Sequence, residues 1–401
     1  MKMESGRGGG KFDEVFNCFV SKYKNEVGGY GKLLGRGAFG EVRDIKYKNK
    51  QMAVKVIEKE KEEKIDGEKL AMNLRSNNII KIHKIYNDEN FKEYARQIEK
   101  AGRSRENIES SIKDKYYDFI IMEKAVLRDL GKLNEFFHRH NLLKLIETHV
   151  FDEDSGDHLL RFYARQIIGA LEVLDRNNYI HFDIKPENLL ISVNLIIKLS
   201  DFSLLREVDE NTNEFKLPGG TPGYMTPEYY INKYVKNDVA RKQDYFALGS
   251  TLFLIKYGLP LLRYKKYDDN EMNADRIVDL LVRNINILKS QVLTDKDFIN
   301  FIICLIDYNP NDRANFEKIY RNKWLNKYIN NGKLDRTIMA FENDEEKLIM
   351  ELQKKDFIIK KEEYLEKTKD FKNESTSKSN KFRFKKKKKI MIFELFIEFS
   401  Y

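Results

Sequence analysis

Cysteine is scarce in this chain of 401 residues, which contains only Cys18 and Cys304. Two cysteines cannot form a disulfide framework, and they cannot supply the four thiolates of a closed metal site within one molecule. The composition therefore excludes the class of small disulfide-stabilised domains and favours a protein of a reducing compartment.

Long hydrophobic runs are also missing, since no stretch reaches the roughly 18 consecutive apolar residues that a membrane-spanning helix needs. The N-terminal residues Met1–Gly10 are polar and glycine-rich, and they lack the apolar centre of a signal peptide. We therefore expect neither secretion nor a membrane-spanning segment, and we expect the protein to be cytoplasmic.

Excess charge of one sign is nearly absent outside the C-terminus. The formal net charge is +9, but residues 371–401 hold nine Lys/Arg and three Glu, so the remaining chain carries only +3. This tail contains no folded nucleic-acid-binding motif, which argues against nucleic acid as the partner. The 41% of hydrophobic residues, with 26 Phe and 22 Tyr, instead predict a folded soluble protein.

Alternation of apolar and polar residues predicts that the first part of the chain is a β-meander. The segment Tyr30–Ile57 has the pattern of three strands, with a turn at Lys48–Lys50 between the second and the third. The predicted elements that follow are a helix over residues 58–75, strands at Ile79–Tyr86 and Tyr117–Met122, and a charged surface insertion at 87–115 between those strands.

Helical periodicity dominates from about residue 127 onward. Apolar residues mark one long helix over 159–174, and an apolar strand pair follows near 189–199. Residues 243–257 are almost continuously apolar and end at Gly258, which is typical of a buried helix. The pattern therefore predicts a small sheet lobe followed by a larger helical lobe.

A glycine-rich string, Gly35-Arg36-Gly37-Ala38-Phe39-Gly40, lies in the meander. In dinucleotide-binding folds such a string opens a helix, whereas here it is followed by a strand pattern and so belongs to a hairpin. Glycines let a hairpin approach phosphates closely and offer backbone N–H groups to their oxygens. On this string alone, a flexible turn without a ligand remains the alternative.

The next predicted strand carries a lysine on a buried face. Ala53-Val54-Lys55 places Lys55 on the same face as Ala53, and a lysine on a buried face needs an anionic partner. The glycine string, this Ala-x-Lys and the strings described below resemble those of eukaryotic protein kinases, over about residues 30–327. The resemblance implies an α+β, bilobal protein-kinase-like fold, with a small antiparallel sheet and one main helix in the N-lobe and a mostly helical C-lobe.

The most specific string runs from His181 to Leu190 and resembles the kinase catalytic loop, with a Lys-Pro-Glu-Asn form typical of Ser/Thr kinases. Phosphoryl transfer needs a carboxylate that orients the hydroxyl, a cation near the phosphoryl group and oxygen ligands for Mg²⁺. The resemblance assigns the first two roles to Asp183 and Lys185. It assigns the metal to Asn188 and to Asp201, which opens an Asp-Phe-Ser string.

The resemblance also implies the residues that hold ATP. Lys55 should pair with Glu68, although Glu62 and Glu63 stay open as alternatives, because Gly67 weakens the helix there. Adenine should lie between Ala53 and Leu190 and bond the backbone at Glu123–Ala125, after Met122. The implied nucleotide set is Leu34, Gly35, Gly37, Gly40, Val42, Ala53, Lys55, Glu68, Met122, Glu123, Ala125 and Leu190.

Residues 220–228 resemble the end of a kinase activation segment. On this resemblance Glu228 should form a buried ion pair with Arg313, and Asp244 should brace the catalytic loop from the buried helix. Trp324 is expected to be a core aromatic residue of the last helix.

Two positions depart from the family pattern. Phe182 stands where many kinases have the arginine that binds a phosphate on the activation segment, so that charge-assisted switch is missing. Thr212 remains a candidate phosphorylation site, but the surrounding segment is acidic. Ser203 replaces a glycine and restricts the backbone there. We therefore expect a segment that is ordered without phosphorylation, or regulated by another route.

The implied function is a protein serine/threonine kinase that uses Mg²⁺ and ATP on protein substrates with Ser/Thr hydroxyls, and acts as a monomer. The rival from another class is a pseudokinase scaffold, which binds partners without phosphotransfer. The expected organisation is an N-terminal extension at 1–29, a kinase domain at 30–327 with lobes at 30–122 and 126–327, and a charged tail at 328–401. The tail lysines are compatible with a solvated end, with contact to an anionic membrane, or with nuclear import.

Overall fold

The computed structural model describes residues 11–29, 31–37, 40–59, 66–91, 115–125, 129–131, 158–192, 196–258, 260–262, 274–290 and 296–327. The tip of the glycine string, Glu62 and Glu63, most of the predicted insertion and the whole C-terminal tail lie outside these residues. The chain divides into two compact units, Met1–Val126 and Leu127–Tyr401.

The first unit is built on an antiparallel sheet with two described helices. The helices are α1 (Lys11–Lys22) and α2 (Asp66–Ala71). The strands are β1 (Val27–Gly28), β2 (Leu33–Gly37), β3 (Gly40–Tyr47), β4 (Lys50–Lys59), β5 (Ile82–Glu89) and β6 (Tyr116–Met122). The main strand order is β1-β3-β4-β6-β5, and β2 pairs with β3.

The predicted meander is confirmed by these strands. β3 and β4 pair from Gly40↔Ile57 to Tyr47↔Lys50, and Lys48 and Asn49 between them have φ angles of 47° and 64°. Positive φ at both central residues is the requirement of the two-residue hairpin turns that match strand twist. The turn therefore sets the register that brings Val42 opposite Lys55.

Two predicted boundaries in this unit are wrong. The helix predicted from residue 58 is preceded by strand, because β4 continues to Lys59, whose ammonium is buried against the Asp118 carboxylate on β6 at 2.9 Å. The strand predicted at Ile79–Tyr86 lies at Ile82–Glu89, so residues 87–89 belong to the sheet rather than to the insertion. In both cases an ion pair, Lys59 with Asp118 and Glu89 with Lys22, allows a buried charged residue to continue a strand.

The helix α1 covers one face of the sheet. Its buried residues Val15, Phe16 and Phe19 pack in one cluster with sheet residues such as Val54 and Phe119. The rings of Phe19 and Phe119 stack at a centroid distance of 3.8 Å. Residues upstream of position 30, which the sequence analysis treats as an extension, are therefore part of the core of this unit.

The second unit is mostly helical, as predicted. Its helices are α3 (His158–Arg176), α4 (Pro227–Ile231), α5 (Asn237–Arg241), α6 (Gln243–Tyr257), α7 (Ala274–Lys289), α8 (Lys296–Ile306) and α9 (Phe316–Tyr320). Its short strands are β7 (Tyr179–Ile180), β8 (Leu189–Ile191), β9 (Ile197–Leu199), β10 (Arg206–Glu207), β11 (Glu214–Lys216) and β12 (Tyr234–Lys236). They pair as β10-β7, β11-β12 and β8-β9.

The long helix, the strand pair and the buried helix of this unit are confirmed in α3, β8-β9 and α6. Helix α6 ends at Gly258, which has a φ of 70° and donates its N–H to Leu254. Trp324 is fully buried, as expected of a core residue, but it follows α9 instead of lying in it. No helix in the described ranges is both long enough and apolar enough to cross a bilayer.

Candidate active site

In the first unit, the glycine string forms the end of the β2-β3 hairpin. Gly37 pairs with Gly40, and Arg36 pairs with Glu41. Gly40 has a φ of 153°, and a Cβ atom at this position would lie 1.9 Å from the carbonyl oxygen of Val56. Only glycine lets the hairpin approach β4 this closely, so Gly40 is a packing requirement and not merely a flexible residue.

Lys55 and Glu68 form an ion pair in the first unit. The Lys55 Nζ lies 3.0 Å from Glu68 Oε1, and only 3% of the Glu68 side chain is exposed. Helix α2 begins at Asp66 and places Glu68 in its first turn, where a carboxylate is favoured. Glu68 is thus the described carboxylate that pairs with Lys55.

The remaining nucleotide candidates of this unit lie along the neighbouring strands. Val42 is the cross-strand partner of Lys55, and Ala53 is the partner of Met122 at the end of β6. Leu34 lies in β2 and is 39% exposed. Gly35 follows a register irregularity in the same strand. Cross-strand partners project from the same face, so Val42 and Lys55 share one side of the sheet.

The segment after Met122 is held next to β5 by hydrogen bonds of both the backbone and the side chain of Glu123. Glu123 donates its N–H to the carbonyl of Lys81 at 2.9 Å, and the Lys81 N–H donates to Glu123 Oε1 at 2.9 Å. Lys124 Nζ lies 3.0 Å from Asp44 Oδ2. Ala125 follows as the last described residue of this segment.

In the second unit, the carboxylate of Asp183 is the centre of a hydrogen-bond network. Its Oδ1 accepts from Thr221 Oγ1 at 2.6 Å. Its Oδ2 accepts from Lys185 Nζ at 2.7 Å and from Asn188 Nδ2 at 2.9 Å. Lys185 also donates to Thr221 Oγ1 at 2.7 Å. The carboxylate is therefore held in one orientation by three side chains.

The loop that carries Asp183 is braced from the buried helix α6, as the sequence analysis predicts. Asp244 accepts the backbone N–H of His181 at 2.8 Å and that of Phe182 at 2.9 Å, one on each carboxylate oxygen. Complete burial raises the pKa of Asp244 to about 7, while the two N–H donors favour its ionised form. These bonds hold Phe182 at a φ of 66°, which is unusual for an aromatic residue.

His181 is a neutral structural group. Its Nδ1 accepts the N–H of Asp183 at 3.2 Å, so its proton lies on Nε2, which contacts the carbonyl of Ser200 at 3.1 Å. Burial lowers the pKa of His181. The imidazole thus ties the catalytic loop to the strand that precedes Asp201.

The residues proposed for a divalent cation have the donor atoms that such an ion prefers. Asn188 uses its amide nitrogen on both the main chain and the side chain of Asp183, so its amide oxygen is the atom that it can offer to a cation. Asp201 contributes a carboxylate from a left-handed backbone with a φ of 62°. Within the described ranges, no three His, Cys, Asp or Glu side chains could hold a metal ion by themselves. The amide oxygen of Asn188 and the carboxylate of Asp201 are of the oxygen type that hard cations prefer.

Leu190, the last of the nucleotide candidates, lies in β8 next to Asn188. It pairs with Lys198 across the β8-β9 ribbon and forms an isolated bridge with Asp129. Its side chain is only partly buried. This position belongs to the second unit, whereas the other nucleotide candidates belong to the first.

Phe182 lies in an apolar cluster with the activation segment. Its ring stacks on that of Phe215 at a centroid distance of 5.4 Å and an angle of 21°. The buried members of the cluster are Ile180, Phe182, Val208, Leu217 and Ala240. Apolar packing thus occupies the position at which the resembled family has a phosphate-binding arginine.

The end of the segment is anchored by the predicted ion pair, which is confirmed. Arg313 Nη2 lies 2.9 Å from Glu228 Oε1, and the guanidinium is fully buried. Thr226 donates to Gln243 Oε1 at 2.6 Å, a bond that the sequence analysis does not foresee. Thr221 is also missed as a site residue, although its place in the string 220–228 was an available signal.

The family model described as Protein kinase domain matches residues 30–325. The chain is 28% identical over 298 residues to an Aurora kinase of Saccharomyces cerevisiae, which covers 74% of this chain and 68% of that protein.

Two other relatives are matched over smaller parts of their length. The chain is 28% identical over 316 residues to CBL-interacting serine/threonine-protein kinase 20 of Arabidopsis thaliana, covering 74% of this chain and 58% of the relative. It is 37% identical over 137 residues to serine/threonine-protein kinase sgk-1 of Caenorhabditis elegans, covering 33% of this chain and 28% of the relative.

Proposed function

Because this chain belongs to the protein kinase family and is an ATP-dependent protein serine/threonine kinase, we propose that Asp183, Lys185, Lys55, Asn188 and Asp201 carry its chemistry. The observation that supports this assignment best is the network around Asp183. Three side-chain donors hold the Asp183 carboxylate in one orientation. A carboxylate that is fixed in this way can orient the hydroxyl of a substrate.

In this proposal the chain's residues position and stabilise charge. Asp183 accepts the hydrogen bond of the substrate hydroxyl and receives its proton on the carboxylate. Lys185, already bonded to Asp183 and Thr221, contributes positive charge where the transferred group is negative. Lys55 orients nucleotide phosphates and is itself held by Glu68. ATP with Mg²⁺ supplies the transferable phosphoryl group and the charge neutralisation, with Asn188 and Asp201 as the residues that would hold the metal.

We also propose that phosphorylation of the activation segment is not needed for activity. The Thr212 hydroxyl donates to the carbonyl groups of Asp209 and Glu214, and Asn237 donates to the carbonyls of Asp209 and Thr212. The turn at residues 209–214 is thus held by hydrogen bonds from Thr212 and from Asn237 of α5. The stacking of Phe215 on Phe182 holds the neighbouring strand β11. Both interactions support an ordered segment without a phosphate.

The proposal is tested by transfer of label from γ-labelled ATP to a generic basic protein, with phosphoamino acid analysis of the product. We expect label on Ser or Thr, complete loss with EDTA, and recovery with Mg²⁺. Asp201→Asn should raise the Mg²⁺ concentration for half-maximal rate by about tenfold, because one carboxylate ligand is lost. Asp238→Asn, an exposed change in α5, is the matched control.

The pseudokinase scaffold predicts a different result when label transfer and melting temperature are measured on the same samples. A wild-type chain that transfers no label while Mg-ATP still raises its melting temperature would reject the proposed catalysis and support a partner-binding role. An unbiased peptide array with the active chain would then define the substrate class.

We also propose that the protein is a monomer and that it is cytoplasmic. Contact of the C-terminal tail with an anionic membrane is a further hypothesis that can be tested. Sedimentation of the full chain with neutral and anionic liposomes tests membrane contact of residues 328–401. Equal sedimentation with both liposome types would reject that contact, and light scattering of the same sample measures the oligomeric state.

A further inference from the structure

A buried carboxylate connects the glycine hairpin to helix α1. Only 4% of the Glu41 side chain is exposed, and a buried carboxylate is costly unless charged donors bind it. Arg43 donates from Nε at 3.0 Å and from Nη2 at 2.6 Å to one Glu41 oxygen. Arg36, between Gly35 and Gly37, donates from Nε at 2.6 Å to the other. Glu41 thus binds the glycine string to Arg43.

Arg43 in turn is held by α1. Its Nη2 lies 2.6 Å from Asp13 Oδ1 in the first turn of the helix. Its guanidinium carbon lies 5.5 Å from the centre of the Phe16 ring, within the range of a cation–π contact. Two of the groups that orient Arg43 therefore belong to a helix outside the matched kinase domain.

A second contact fits α1 against the entry to the hairpin. A Cβ atom at Gly31 would lie 2.5 Å from Cζ of the Phe16 ring, so the absence of a side chain at this position is what admits the ring. The Gly31 carbonyl also accepts from Arg43 Nη1 at 3.3 Å. The helix and the base of β2 are therefore fitted to one another by shape as well as by charge.

We propose that α1 is a positioning element for the nucleotide, acting through Asp13, Arg43, Glu41 and Arg36 on the glycine hairpin. The proposal rests on the proposed function, because it assigns the hairpin to ATP. Asp13 and Arg43 touch no nucleotide in this scheme. They set the orientation of Glu41, which sets that of Arg36 beside the tip of the hairpin.

The test uses the full chain with Asp13→Asn, and with Glu14→Gln as a matched control on the same helix. ATP affinity is measured by displacement of a fluorescent ATP analogue, and kcat and the KM values for ATP and peptide are measured on the same samples. We expect Asp13→Asn to weaken ATP binding and raise its KM by about threefold, the effect of one partly exposed ion pair. The kcat and the peptide KM should stay unchanged, and Glu14→Gln should match wild type.

A double-mutant cycle tests whether the effect passes through the connected residues. Arg36→Ala should also weaken ATP binding, and Asp13→Asn should add little to it, because both changes interrupt one path. Additive effects would overturn the proposed path. Unchanged ATP affinity in Asp13→Asn, even with a lower melting temperature, would show that α1 is only structural and would overturn the proposal.

Failure of the proposed function gives a different result. A wild-type chain that binds ATP without transferring phosphate rejects the catalysis, but the displacement measurements still decide the role of α1. A wild-type chain that binds no ATP overturns both proposals.

Discussion

The candidate residues of the first unit and those of the second unit are stabilised by different means. In the first unit, the candidates lie on paired strands, and ion pairs such as Lys55–Glu68 orient the charged side chains. In the second unit, hydrogen bonds from Lys185, Asn188 and Thr221 converge on one carboxylate, and buried groups brace the loop behind it. Changes in the first unit should therefore lower nucleotide affinity, with or without a loss of rate, whereas changes around Asp183 should lower the rate of transfer at unchanged affinity.

The largest expected effect on the transfer rate comes from removing the charge of Asp183 in the second unit or of Lys55 in the first. Asp183→Asn should lower the transfer rate at least about a hundredfold while ATP affinity stays near wild type, because the change removes only hydroxyl orientation and proton acceptance. Lys55→Met should lower the rate by a similar factor and also weaken ATP binding. Label transfer and displacement of a fluorescent ATP analogue measure the two quantities.

The controls for this pair are Asp238→Asn in the second unit and Lys50→Met on the same strand as Lys55, both exposed positions. Wild-type transfer by either active-site variant would contradict the proposed mechanism. Equal loss of ATP affinity in both variants would contradict the difference expected between the two units.

A smaller effect on kcat is expected from substitution of Phe215 in the apolar cluster around Phe182. Phe215→Ser removes the ring that stacks on Phe182 and should lower kcat by about tenfold, or roughly 1.4 kcal/mol of barrier, through loosening of the segment. Phe215→Leu should keep most of the rate because it preserves apolar burial. The KM for ATP should stay constant in both, and a rise in it would mean that the second unit also sets nucleotide affinity.

A pH effect should follow from His181. Its pKa is lowered from an ordinary value of 6.5 by burial, so the unfolded chain takes up a proton below that pH while the folded chain does not. The contribution of His181 to stability is therefore fully present well above pH 6.5 and decreases as the solution becomes more acidic. Asp244, whose pKa is raised to about 7 by burial, has the opposite effect, because the folded chain takes up its proton first.

Urea unfolding of wild type and His181→Leu between pH 7.5 and 5.5 measures this slope. The variant should be less stable at every pH, but its stability should fall less on acidification. Parallel curves would show that His181 does not contribute to the pH dependence.

The smallest effect is expected at Thr212. Thr212→Ala and phosphatase treatment should each leave the rate within about twofold of wild type, because the segment is held by the turn and the apolar cluster. A loss of more than about tenfold would show that a phosphate, bound by some other cation, orders the segment.

The sequence predicted the fold, and it pointed to the candidate site residues, because both depend on local patterns. The period-two pattern located the meander, helical periodicity located α3, and a continuous apolar run that ends at Gly258 located α6. Motif spacing pointed to Asp183, Asn188 and Asp201. The pairing of Lys55 with Glu68 was harder to predict, since only 13 positions separate the two residues and Gly67 weakens the helix there, which left Glu62 and Glu63 open as alternatives. In the structure, α2 places Glu68 in a buried first turn.

The features that escaped prediction depend on distant partners. Lys59 and Glu89 are charged residues that continue strands because Asp118 and Lys22, respectively, pair with them. The apolar residues of α1 pack against sheet residues that are far along the chain, such as Phe119. Thr221 was missed because its contact with Asp183 joins residues 38 positions apart.

The burial of Trp324 has a practical consequence for spectroscopy. It is the only tryptophan of the chain, and its indole packs against Phe301 at a centroid distance of 5.1 Å in the second unit. Selective excitation of indole emission therefore reports on the second unit alone, while far-ultraviolet circular dichroism registers both. Comparison of the two signals during denaturation would reveal whether the units melt together or one after the other, without any added label.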